Sequence, residues 1–271
     1  MPELPEVETV RRVLQNEVKG KKILSAKVYW SNIIAEPSVD EFEEKIKNQI
    51  IKDIKRYGKW LMFELSNYYL LSHLRMEGKY YIKDSSDIRT KHQHVIFNLE
   101  GGVDLRYNDT RKFGKMYLLD KKDIYNVKPL VSLGLEPWDK NLTVQYLKNS
   151  FHKKPIKTEL LDQSIIVGIG NIYADEILFS SKINPLSIAS NLNNNDCQNI
   201  ITNTKKILSK AIENGGTTVK SYTSSEGVHG RFQTHLKVHT KEKCNVCGRK
   251  ITKITVGGRG TYYCENCQKE R

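Results

Sequence analysis

Four of the five cysteines fall into two close pairs, Cys244-x2-Cys247 and Cys264-x2-Cys267. Each pair suits a tight turn, and four thiolates complete a tetrahedron, so the spacing is that of one structural Zn2+ with no coordination position left open for catalysis. The fifth, Cys197, stands alone in the sequence, and in a reducing compartment such a pattern argues for metal rather than disulfides. Four free buried cysteines are the alternative. Between the pairs, residues 253–263 read as two strands joined by a glycine turn, with Arg259 at the hairpin tip. From His235 to Arg271 nine Lys or Arg face three Asp or Glu. A tip of this kind can place a guanidinium in a groove or on a phosphate. It can equally be a solvated turn in a zinc ribbon that only holds protein together.

The second group able to do chemistry is the amino terminus. Removal of Met1 leaves Pro2 as a free secondary amine beside Glu3 and Glu6. An α-amine titrates near 7.7–8.0 and a lysine near 10.4, so roughly a tenth of the former is neutral at pH 7 against far less of the latter. That makes Pro2 an amine nucleophile, with Glu3 as the acid or base next to it. Read blandly, Pro2 and Pro5 start a helix and the glutamates favour the positive end of its dipole.

These groups need elements to hold them. Val7, Val10, Val13 or Leu14, and Val18 recur at helical spacing before Gly20, which predicts a helix over about 2–19. From Lys22 to about Leu119 short β-rich runs (ILSAKVYW, KWLMFEL, YYLLSHLRM, GKYYIK, HVIFNLE, GKMYLLD) alternate with turn signals, the pattern of a sandwich or barrel, interrupted by one helix near Val39–Lys47. After Pro137 the character becomes helical, with helices expected over 141–149, 156–161, 173–181 and 195–214, and the run Asn191–Asp196 supplying an N-cap. The expected domains are 1–134, 135–234 and 235–271.

At 271 residues the chain suits two cores and an appendage. Its formal charge of +13 with 28% charged residues points to a polyanionic partner for a folded protein, without separating DNA from RNA or an anionic membrane. No apolar stretch reaches the ~18–20 residues of a membrane span, and the acidic start lacks the apolar core of a signal peptide, so a cytosolic protein is expected.

Six separated motifs occur in register: PELPEVET at the start, Arg56-Tyr-Gly-Lys-Trp60, His73-Leu-Arg-Met76, Asp109-Thr-Arg-Lys-Phe-Gly114, Gly168-Ile-Gly-Asn-Ile-Tyr-Ala174 and the closing cysteine hairpin. In this order the chain resembles the formamidopyrimidine-DNA glycosylases over essentially its whole length. The resemblance implies an α+β multidomain fold: an N-terminal β-sandwich with an N-terminal helix, a helical helix-two-turn-helix domain and a C-terminal zinc-finger β-hairpin. It implies a bacterial cytosolic, nucleoid-associated, monomeric base-excision repair enzyme whose partner is damaged double-stranded DNA. Oxidised purines such as 8-oxoguanine and formamidopyrimidines would leave through a Pro2 Schiff base, and β,δ-elimination would cut the abasic site.

By the same resemblance Glu3 is the acid that assists sugar-ring opening, Lys59 binds phosphate and helps elimination, and Arg259 binds phosphates and donates a proton in δ-elimination. Met76, Arg111 and Phe113 fill the gap left by the extruded base, types suited to wedging between base steps and to pairing with an orphaned base. Asn171 binds backbone phosphate, His92 contacts DNA, and Lys153 and Lys157 lie in a basic stretch that departs from the longer lysine run of some relatives. Tyr222 belongs to a segment, 215–230, that resembles the loop closing over the flipped base. The nearest rival is the sister enzyme endonuclease VIII, which prefers oxidised pyrimidines; Leu4, where that group carries glycine, and the Met76, Arg111, Phe113 set favour the purine branch. A DNA-binding protein without activity and a zinc-ribbon RNA-modifying enzyme are rivals from other classes.

Overall fold

The computed structural model describes residues 1–122, 124–217 and 231–271. These fall into two compact units, one holding Met1–Pro2 and Glu6–Val131, the other Glu3–Pro5, Ser132–Thr217 and Arg231–Arg271. Among them no helix is long and apolar enough to cross a membrane.

The chain opens with α1 (Leu4–Val18) and continues through β1 (Ile23–Val28), β2 (Ile34–Glu36), α2 (Val39–Ile46), β3 (Asp53–Tyr57), β4 (Trp60–Glu64), β5 (Tyr68–His73), β6 (Lys79–Asp84), β7 (Gln93–Leu99), β8 (Val103–Asn108) and β9 (Lys115–Asp120). The strands form two sheets, ordered β1-β7-β8-β6 and β2-β9-β5-β4-β3. Val7, Val10, Leu14 and Val18 of α1 share one buried cluster with Ile23, Phe97 and Leu105 of the first sheet and Phe63, Leu70 and Leu118 of the second. The sandwich is closed from within: Phe63 of β4 meets Tyr80 of β6 with ring centroids 5.7 Å apart, and the Tyr80 hydroxyl donates to Ser72 of β5 at 2.7 Å. Each such fully buried side chain contributes about 1.5–3 kcal/mol.

Three strands have no counterpart among the expected runs. β8 hides because its interior holds Asp104 and Arg106, both buried and paired at 2.8 Å, which breaks the apolar alternation a strand in the sheet interior shows. β3 is an edge strand with only Ile54 buried, and β2 is three residues long.

The second unit contains α3 (Val144–Ser150), α4 (Ile156–Leu161), α5 (Asn171–Ser181), α6 (Asn194–Glu213) and the hairpin β10 (Thr252–Val256) and β11 (Arg259–Tyr263). α3 begins later than the expected 141 because Thr143 caps it, its hydroxyl accepting from the Tyr146 N–H at 3.1 Å. α6 starts with a capping box between Asn193 and Asp196, inside the run read as an N-cap. α5 is buried on nearly every face, including Asp175 and Glu176, and packs with Leu4, Ile156, Cys197 and Leu208 in this unit's core. Cys197 thus serves as a small apolar residue.

Candidate functional site

The α5 N-terminus is an anion site built from main chain. The Glu3 carboxylate accepts from the N–H groups of Gly170 at 2.8 Å, Ile172 at 2.9 Å and Tyr173 at 3.3 Å, groups that a helix start leaves without internal partners. Two glycines make room. A Cβ on Gly170 would stand 2.3 Å from Glu3 Cδ, and one on Gly168 would stand 2.4 Å from Leu4 Cδ1. The Leu4 N–H donates to the Gly168 carbonyl at 3.0 Å, so residues 3 and 4 are both fixed on this turn. Glu3 is 3% exposed, while Pro2 before it is half-buried and Met1 is exposed.

A buried ionic cluster ties the same helix to the hairpin. Asp175 accepts from the Lys157 ammonium, from His239 Nδ1 at 2.6 Å and from the Tyr262 N–H at 3.2 Å. Lys157 also donates to the Asn171 carbonyl at 3.2 Å, and the Asn171 side-chain amide donates to the Gly260 carbonyl at 2.9 Å. Burial is the largest influence on Lys157 and pushes its pKa down, against the pull of Asp175 and Glu3. Glu176 gathers the N–H groups of Lys237, Val238 and His239 at 2.9–3.0 Å, which fixes the turn segment leading toward the hairpin.

In that hairpin Val256 pairs with Arg259 across Gly257 and Gly258, whose φ of 55° and 73° suit a two-residue turn. Arg259 is exposed at its tip. The four cysteine sulfurs lie within 4.8 Å of one another, with Cys244–Cys267 at 3.8 Å and Cys247–Cys264 at 3.5 Å. A tetrahedron with Zn–S bonds of ~2.3 Å has edges of about 3.8 Å, so the donor set fits Zn2+. Main-chain bonds shape each turn, Gly248 N–H to the Cys244 carbonyl and Gln268 N–H to the Cys264 carbonyl, both at 2.9 Å. The metal is structural: it holds the ends of the hairpin together.

In the first unit, Gly58 and Lys59 form the tight turn joining β3 and β4, where Tyr57 pairs with Trp60. Lys59 is 6% exposed. One strand over, His73 pairs with Trp60, packs edge-on against its ring at 4.8 Å and accepts the Arg75 N–H on Nδ1 at 3.0 Å. Burial, then the charges of Arg75 and Lys59, push its pKa down to about 3, so this imidazole stays neutral beside two cations. The following turn carries Met76, 36% exposed. In the turn 109–114 the buried Asp109 carboxylate accepts from the N–H groups of Arg111, Phe113 and Gly114 at 3.0, 2.9 and 2.8 Å. Arg111 and Phe113 stand outward from it, the guanidinium 4.8 Å from the ring centroid, and Phe113 is 50% exposed.

The structure thus gathers Glu3, Asn171, Lys157, Arg259 and the four cysteines in one unit, and Pro2, Lys59, Met76, His92, Arg111 and Phe113 in the other. His92 is half-buried, its carbonyl accepting the Asp109 N–H at 3.0 Å. Lys153 is exposed. Lys157 differs from its expected place in a DNA-facing basic stretch: it has no exposed surface, because Asp175 holds its ammonium inside. Asn171 likewise spends its amide on Gly260, and the anion on the Gly168–Gly170 turn is Glu3. Tyr222 lies outside the described residues. Asp109, Asp175, Glu176 and His239 were not singled out from sequence. The signal was there for two of them, since adjacent acids interrupt an otherwise apolar helix at Asp175 and Glu176.

The model of the formamidopyrimidine-DNA glycosylase N-terminal domain matches residues 1–116, that of the family's H2TH domain matches 133–223, and the zinc finger found in FPG and IleRS matches 241–269. A formamidopyrimidine-DNA glycosylase of Shouchella clausii is 47% identical over 99% of both chains, and that of Bacillus subtilis is 45% identical over the full length of both. Among solved structures, Lactococcus lactis Fpg in complex with an abasic-site-containing DNA superposes with a TM-score of 0.90 at 36% identity, covering 99% of this chain and 100% of the other. A Lactococcus lactis FPG mutant with a Fapy-dG-containing DNA gives 0.92 at 35% identity with the same coverage. The chain belongs to the formamidopyrimidine-DNA glycosylase family.

Proposed function

We propose that this protein excises oxidised purines, 8-oxoguanine and formamidopyrimidines, from duplex DNA and then cleaves the abasic site. The observation that carries the reading is the Glu3 carboxylate on three main-chain N–H groups of α5. A terminal amine is useful as a nucleophile only if it is held in place, because orientation supplies much of the rate. Here the residue directly after Pro2 is locked, where a chain end is normally frayed.

Once Met1 is removed, the Pro2 nitrogen attacks C1′ of the damaged nucleotide. The bond from C1′ to the base breaks, and its electron pair leaves with the base, which takes up a proton. Glu3 accepts the proton that the amine loses and returns it to O4′ as the sugar ring opens to the iminium. Loss of a C2′ proton expels the 3′ phosphate, a second elimination expels the 5′ phosphate, and hydrolysis frees Pro2. Lys59 binds the phosphate beside the leaving oxygen, and the neutral His73 near it adds no further positive charge there. Arg259, presented by the zinc hairpin, binds phosphates about the lesion and supplies the proton for the second elimination.

Met76, Arg111 and Phe113 replace the extruded base in the stack, with Arg111 hydrogen-bonding to the orphaned partner. His92 and Lys153 serve the DNA backbone, Asn171 serves it with the amide hydrogen that Gly260 leaves over, and Tyr222 belongs to the loop over the base. Lys157 acts from inside, holding α4 to α5 and, through Asp175, to the hairpin. The work divides among a catalytic sandwich (1–134), a helical domain (135–234) and a zinc finger (235–271), in a monomer of the bacterial cytosol.

The test is strand cleavage of a duplex carrying one 8-oxoguanine opposite cytosine, with both new ends identified. Phosphates on both sides of a one-nucleotide gap support the reading. An intact strand with the base retained, or excision confined to oxidised pyrimidines, contradicts it.

A further inference from the structure

The turns carrying Met76 and the Arg111–Phe113 pair are fastened together by residues with no role in the mechanism above. Tyr107, at the end of β8, is fully buried. A Cβ on Gly78 would stand 2.3 Å from its phenol oxygen, and one on Gly114 would stand 1.8 Å from it. Neither glycine has a positive φ, so space rather than backbone conformation requires them. One phenol therefore sets the approach of both turns, since Gly78 closes the first and Gly114 closes the second. The ring cannot retreat: Tyr80 lies edge-on behind it at 5.2 Å, itself bonded to Ser72 and packed on Phe63. Across the mouth, the Thr110 hydroxyl donates to the Glu77 carboxylate. Asp109 completes the frame through its three N–H bonds, while its own carbonyl accepts from His94 Nε2 at 2.9 Å.

We infer that Tyr107 and Asp109 are positioning residues that hold Met76 at a fixed separation from Arg111 and Phe113, and that this separation sets selectivity for the base opposite the lesion. The inference rests on the reading that those three side chains fill the vacated space in the duplex. Arg111 can test the orphaned base only from where the Asp109 carboxylate holds its N–H. A shift of the turn re-aims the guanidinium and relaxes discrimination.

The experiment compares wild type with Gly114→Ala, Tyr107→Phe and the double variant. Single-turnover excision of 8-oxoguanine opposite cytosine and opposite adenine is measured, together with cleavage of an abasic site in single-stranded DNA. A single strand has no stack to fill, so the positioning frame is irrelevant to it. Gly114→Ala should lose on the order of 10²-fold in duplex excision, as displacements near 1 Å can. Its preference between opposite bases should narrow while single-strand cleavage stays at the wild-type rate. Adding Tyr107→Phe, which removes the atom nearest the new methyl, should restore part of the loss. Equal losses on duplex and single strand would show a general folding defect and overturn the inference, as would an unchanged duplex rate and base preference. Phe113→Ala run alongside separates the layers: if it is silent while wild type is active, the gap-filling reading fails and the inference falls with it.

Discussion

The carboxylate of Glu3 accepts the Gly170 N–H at 2.8 Å, and only the missing Cβ of Gly170 lets it come that close. The turn that begins α5 is therefore a receptor for the third residue of the chain, to which the proposed mechanism gives the work of general acid and base. Gly170→Ala places a methyl 2.3 Å from Glu3 Cδ and must displace it. Loss of one acid–base group costs about 10²–10⁴ in rate, and excision should fall toward that range while zinc content is retained. Single-turnover rates check this, and wild-type excision by Gly170→Ala would remove Glu3 from the mechanism.

The buried cluster around Asp175 predicts an asymmetric response to substitution. Asp175→Asn leaves the Lys157 ammonium buried without its counter-charge, at a cost of about 3–5 kcal/mol. Replacing both, Lys157→Met with Asp175→Leu, removes the stranded charge and should restore much of that loss. Urea unfolding of the two variants decides the matter, and equal stability would mean that the pair is not what holds this helix to the hairpin.

The acid side of the stability profile belongs partly to His73. Its folded pKa, about 3, lies below the ordinary 6.5, so between those values the unfolded chain binds the extra proton. The stability this neutral imidazole contributes is present above pH 6.5 and drains as pH falls toward 3, by up to about 4 kcal/mol. Burial is the largest single influence on Glu8 and raises its pKa, but the hydrogen bonds and charges of Arg11, Arg56 and Arg12 together outweigh it and lower the pKa, so Glu8 adds a loss in the lower part of the window. His73→Gln keeps an acceptor for the Arg75 N–H and should flatten the profile between pH 6.5 and 4.5. A slope identical to wild type would show that His73 titrates normally.

Much of this arrangement is legible in sequence, and the exceptions have physical causes. Apolar spacing predicts α1, and Ile156–Leu161 forms α4 as read. The capping run before α6 and the hairpin with Arg259 at its tip also follow from local chemistry. β8 is illegible because Arg106 and Asp104 neutralise one another inside the sheet, a pairing no periodicity shows. Lys157 misleads for the same reason: in sequence it is one more lysine in a basic run, and only the fold brings Asp175, eighteen residues later, onto its ammonium. Likewise the motif around Gly168 and Gly170 does not show that its turn holds an anion of the chain itself, Glu3, 167 residues away from Gly170.

Zinc should act on DNA binding through the hairpin alone. Cys264→Ser breaks the tetrahedron, and folding energy in such a module is metal-binding energy. We expect loss of stoichiometric zinc, loss of duplex affinity and unchanged amide exchange in the sandwich strands β4, β5 and β9. Unchanged affinity in a zinc-free variant would separate Arg259 from DNA contact.

The central claim is that the Pro2 amine forms the covalent bond, and borohydride trapping tests it most directly. The protein, with Met1 removed, is mixed with a duplex containing 8-oxoguanine opposite cytosine, reduced, digested, and the cross-linked peptide sequenced by mass spectrometry. The account predicts a stable adduct on Pro2. An adduct on a lysine such as Lys59, or none from protein that binds the duplex and holds zinc, would contradict it.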